Sequence, residues 1–77
     1  MIITGKIVGI KVSDSGIEWT YKTEEGDTST FVSNVMNESL LESLSYSRQV
    51  QFEIVTMKNV TKLICVFDEY EVSDQCL

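Results

Sequence analysis

The chain contains no histidine, only two cysteines and a single tryptophan, and basic residues number half the acidic ones, 6 against 12. Without histidine the commonest general base and metal ligand is missing, so hydrolytic triads and zinc sites built on imidazole are excluded. A non-enzymatic protein with no cofactor is the expectation. Two cysteines are too few to staple a domain of this size. Cys65, inside the apolar run 63–67, reads as a small buried hydrophobe, and Cys76 as an exposed reduced thiol. No stretch approaches the roughly 18 apolar residues of a membrane span, and the start of the chain lacks a basic segment followed by an apolar one. These absences predict a cytoplasmic protein that does not engage membranes.

What is present is enough for one small fold. The 77 residues are 43% hydrophobic and carry a net charge of -6. Domains of this length bury only about 60% of their unfolded surface, so stability is modest and a homo-oligomer would add to it. Apolar residues recur at every second position in short windows separated by Gly, Ser and Asp clusters, the pattern of an all-β meander. Five strands are predicted. The first covers 2–12, with Val8, Ile10 and Val12 on one face and Gly5 and Gly9 placed to bend it. After a turn at 13–16, the second strand, 17–22, alternates Ile17, Trp19 and Tyr21 against Glu18, Thr20 and Lys22. Residues 24–27 reverse the chain into a third strand at 28–35, whose apolar surface comes from Phe31, Val32 and Val35.

The period then changes. Asn37 is an N-cap candidate, and Met36, Leu40, Leu41 and Leu44 fall on one side of a short helix that ends at Tyr46 and Ser47. In the fourth strand Val50, Phe52 and Ile54 face inward, and Gln49, Gln51 and Glu53 outward. A loop at 57–59 leads to the fifth strand, 60–67, predicted to be the most buried. Four of the twelve acidic residues, Asp68, Glu69, Glu71 and Asp74, then fall in a ten-residue tail without a cation. The chain thus divides into a barrel domain, 1–67, with a net charge of -2, and an acidic tail, 68–77, read as a solvated extension.

A bent strand, a hairpin, a third strand, a helical connection and a closing hairpin is the order of a five-stranded OB-like barrel, with its helix between strands 3 and 4. The chain also resembles the bacterial cold-shock domain over about residues 3–63. Gly5-Lys6-Ile7 looks like that family's opening G-K-V, and Thr30-Phe31-Val32 like the start of its V-F-V-H segment. Gln49-Val50-Gln51-Phe52-Glu53-Ile54-Val55, with Asn59-Val60-Thr61-Lys62 after it, is similar to its last two strands. The resemblance implies single-stranded nucleic acid as the partner, with bases stacked on exposed aromatics and lysines tracking the phosphates. Most of that platform is missing. Gly9 and Ile10 stand where the family has tryptophan and phenylalanine, and Ser33 and Asn34 where it has histidine and phenylalanine.

Five residues carry the nucleic-acid reading: Lys6, Lys11 and Lys22 as phosphate contacts, Trp19 and Phe31 as stacking candidates. Trp19 has two registers. Aligning Gly16 with the family's first glycine turns it outward, whereas the alternation of its own strand turns it into the core and leaves Glu18, Thr20 and Lys22 in water. Phe31 is open in the same way, facing out against Thr30 and Val32 or in with Ser33 and Val35. Exposure of both favours stacking, and burial of both favours a different reading, a small phage- or mobile-element-type regulatory protein that binds and modulates a host protein. A weaker similarity, carried by residues 26–30, Ser39 and 58–60, is to the oxyanion-binding barrels of molybdate proteins, and implies an oligomeric nucleotide or oxyanion sponge with Asn37 and Ser39 at the helix start. Glu24, Glu25 and Asp27 read as a solvated turn, without the spacing of a calcium loop.

Overall fold

Each alternating window becomes a strand in the computed structural model, which describes residues 1–67; the acidic tail and Cys76 lie outside the described residues. The elements are β1 (Ile2–Ser13), β2 (Gly16–Thr23), β3 (Thr28–Ser33), α1 (Glu38–Tyr46), β4 (Gln49–Met57) and β5 (Val60–Phe67). They close into a five-stranded barrel in the order β1-β2-β3-β5-β4. All neighbours are antiparallel except β3 and β5, which run parallel and meet in register at Val32 and Lys62. This is the OB-like all-β architecture with its helix between the third and fourth strands.

The barrel closes because β1 pairs with β2 on one edge and with β4 on the other, and a strand that serves two neighbours has to bend. It bends at a bulge. Ile7 pairs with Tyr21 and Gly9 with Thr20, so Val8 is an extra residue with no partner on β2. Val8 is accordingly exposed, Ile10 half-buried against the core, and Val12 exposed where the β1–β2 hairpin projects. At Gly5 a Cβ would lie 2.6 Å from the carbonyl oxygen of Lys22, so only glycine lets β1 approach β2 this closely.

Trp19, Phe31 and Phe52 are fully buried and pack with Tyr21, Ile7, Ile54 and Leu40 in one cluster. The Tyr21, Phe31 and Phe52 rings lie 4.9 to 5.8 Å apart, tilted or edge-on, the arrangement their quadrupoles favour. Trp19 satisfies its indole N–H inside the barrel by donating to Ser33 Oγ at 2.9 Å, and Ser33 in turn donates to the Val35 carbonyl. Leu63 and Val66 of β5 join the cluster, but β5 is no more buried than β2, since Val60 and Lys62 are exposed. The third strand stops at Ser33, two residues before its predicted end, leaving Val35 and Met36 exposed in the connection to α1.

Asn37 caps the helix as its residue type predicts, Oδ1 accepting from the Leu40 amide at 3.0 Å. Leu40 is fully buried, with Leu41 and Leu44 partly buried beside it. A less expected residue fixes the helix to the barrel. β4 pairs with β1 only as far as Lys6, and the next amide, that of Ile7, donates to Ser43 Oγ at 3.1 Å. Ser43 is 1% exposed and also donates to the Arg48 carbonyl. Cys65 is buried, as expected, but it is disulfide-bonded and is not the free thiol that the cysteine count suggested.

Candidate functional site

The register of β1, β2 and β3 sorts their residues onto two faces. Ile17, Trp19 and Tyr21, opposite Ser33, Phe31 and Ser29, point inward; Glu18, Thr20 and Lys22, opposite Val32, Thr30 and Thr28, point outward. Trp19 and Phe31 are therefore corrected as stacking candidates. At 0% and 1% exposure they offer no ring to a base, and bringing either to the surface would turn a whole strand inside out. The physical reason is that a strand pointing Trp19 outward has to bury Glu18 and Thr20, and an unpaired buried carboxylate is costly.

The three lysines fare differently. Lys6, Lys11 and Lys22 all lie on the outward side of this sheet and are exposed, and Lys62, which the sequence reading did not single out, joins them through its pairing with Val32. Two rows result. Lys6 and Lys22 sit directly opposite each other, with Gln49 on the far side of Lys6 and Thr28 beyond Lys22. Lys11, Glu18, Val32 and Lys62 form the second row. The rows are four residues apart along β2, roughly 13 Å at about 3.3 Å per residue. Between them runs a low strip made of Gly9, Thr20 and Thr30.

The electrostatics of this face differ from those of the chain as a whole. Residues 1–67 carry eight acidic side chains, and only Glu18 lies on these rows; the others are in turns, on α1 or on β4. Among the described residues no ion pair within 4.0 Å involves Lys6, Lys11, Lys22 or Lys62. Glu24 of the β2–β3 turn accepts from Gln49 Nε2 at 2.7 Å instead. Like charges directly opposite one another on neighbouring strands are unfavourable, so the Lys6–Lys22 pair costs the fold stability when nothing is bound. A surface of four cations flanking a strip of small and hydroxyl side chains suits an extended anion.

The other candidates assemble less. Asn37 is occupied as the helix cap. Thr23 and Asp27 close the acidic turn, the Thr23 amide donating to the Asp27 carbonyl and the Asp27 amide to Thr23 Oγ1, and among the described residues no cluster of three or more acidic, cysteine or histidine side chains is arranged to hold a metal. A groove of 560 Å³ beside α1, lined by Ser39, Arg48, Gln51 and Phe67 among others, contains Ser39 of the oxyanion candidates and none of the five nucleic-acid candidates. Among the described residues no helix is long and apolar enough to cross a membrane. Comparison with protein-family models, with curated proteins and with solved structures finds no match for the chain.

Proposed function

We propose that the chain is a non-enzymatic binding module whose outward β1–β2–β3 face holds single-stranded nucleic acid by its phosphates. The observation that carries this reading is the facing pair Lys6 and Lys22, extended by Lys11 and Lys62; Glu18 stands across the sheet from Lys11, but among the described residues no carboxylate lies within 4.0 Å of any of the four ammonium groups. Phosphates relieve the repulsion within that pair, and each one neutralised releases condensed counterions. Contact along the backbone carries little sequence preference. Binding is weaker than on a barrel with an aromatic platform, because stacking adds about 1 to 3 kcal/mol per base and the centre of this face has no ring to supply it.

The test is fluorescence anisotropy of end-labelled oligo-dT and oligo-U at low salt, comparing the wild type with the Lys6→Ala/Lys22→Ala double variant. Saturable binding that the double variant loses is the expected result. Absence of binding by the wild type, or equal binding by both, excludes the reading.

A protein partner is the second reading, and burial of Trp19 and Phe31 is the observation that favours it. The lysine rows would then meet an acidic surface, with exposed Val12, Val35 and Met36 as apolar contacts. A chain that ignores oligonucleotides yet captures an acidic host protein, and fails to do so once Lys6 and Lys22 are replaced, would support it.

A further inference from the structure

The proposed face has cations but no stacking ring at its centre, so the remaining aromatics need to be placed. Six lie among the described residues: Trp19, Tyr21, Phe31 and Phe52 are buried and Phe67 is half-buried, while Tyr46 is 71% exposed. Tyr46 is the last residue of α1, and it takes no part in the core cluster.

Its backbone is held firmly. Ser47 adopts a left-handed conformation, φ 56°, which ends the helix, and the amides of Ser47 and Arg48 both donate to the Ser43 carbonyl. The chain then enters β4 at Gln49, whose partner across the sheet is Lys6. Tyr46 thus stands three residues from the end of the Gln49–Lys6–Lys22 row. Three residues span at most about 10 Å, and a strand-to-strand step adds about 5 Å. Arg48 lies between the two. Its guanidinium is 3.6 Å from Glu42 Oε2 with both side chains about half exposed, a solvated pairing weak enough to yield to a phosphate.

We propose that Tyr46 is the base-stacking residue of this face, and that Arg48 carries the phosphate track from Lys6 and Lys22 around to it. This rests on the nucleic-acid reading above and deepens it. A strand lying along the low strip between the lysine rows runs past Lys22 and then Lys6, and a base further along it, beyond Arg48, meets the Tyr46 ring at the helix end. The aromatic contribution is moved from the middle of the sheet to its margin.

Four proteins and two probes test it. The proteins are the wild type, Tyr46→Ala, Tyr46→Phe and Lys6→Ala/Lys22→Ala; the probes are labelled oligo-dT of about ten nucleotides, within the site sizes of single barrels, and an abasic strand of equal length. Tyr46→Ala should weaken oligo-dT binding roughly five- to a hundredfold, the equivalent of one stacked base. The salt dependence should stay unchanged, Tyr46→Phe should restore affinity, and the abasic strand should bind the wild type and Tyr46→Ala alike. If Tyr46→Ala binds oligo-dT as the wild type does while Lys6→Ala/Lys22→Ala does not, Tyr46 is a bystander and the proposal is overturned with the lysine face intact. A wild type that binds neither probe overturns the face and the stacking residue together.

Discussion

Trp19 and Lys22 lie three residues apart on one strand, and their opposite fates follow from the side each faces. The alternation of Ile17, Trp19 and Tyr21 against Glu18, Thr20 and Lys22 favoured the inward side for Trp19, while the register that aligns Gly16 with the cold-shock glycine left the outward side open. Phe31 was not readable, because Thr28, Ser29 and Thr30 are polar on both faces of β3 and alternation there carries no signal; its pairing with Trp19 decides it. Trp19 emission should be blue-shifted, resist iodide quenching, and not change in intensity when oligonucleotide is added; strong quenching by oligo-dT would mean that the ring stacks on bases. Lys22 tests the cost of function on the same strand. Lys22→Thr removes a facing like charge and adds a β-branched residue, so urea unfolding should show a gain of about 0.2 to 1 kcal/mol while affinity for oligo-dT falls. A loss of stability would show that the Lys6–Lys22 pair is not strained.

Among the elements, the strand windows and the helix were legible because period and turn residues agree at each of them, from the Asn37 cap to the Ser13–Gly16 turn. The bulge in β1 was legible only in part. Gly5 and Gly9 marked a bend, but the extra residue is Val8, and that follows from closing the barrel onto β4, a tertiary demand with no local signature. Ser43 was invisible for a related reason. A serine in a leucine-striped helix reads as solvent-facing, yet it is buried because the Ile7 amide passes beyond the last β4 pairing and needs an acceptor. Ser43→Ala leaves that amide and the Arg48 carbonyl without their partner, and an unsatisfied buried group costs about 1 to 3 kcal/mol. A drop of that size in unfolding free energy is expected. An unchanged midpoint would show that the helix is held by Leu40 and its neighbours alone.

For the whole molecule, a net charge of -6 suggests a poor ligand for any anion, and the suggestion fails because charge is segregated. Four acidic residues fall in the tail, seven more lie in turns, on α1 or on β4, and four of the six cations share one sheet face, where Glu18 is the one carboxylate within the two rows and Glu24 reaches only Gln49 at the end of the first. Composition gave the total and the strand pattern gave three of the lysines. The fourth, Lys62, needed the parallel β3–β5 closure, which links residues thirty positions apart. The central claim is that this face binds a phosphate backbone, and the salt dependence of oligo-dT affinity tests it most directly. Three to four lysine contacts predict a slope of log K against log salt of about -2 to -3, reduced by about 1 to 1.5 in Lys6→Ala/Lys22→Ala. A slope near zero, or one that the double variant leaves unchanged, would contradict the account.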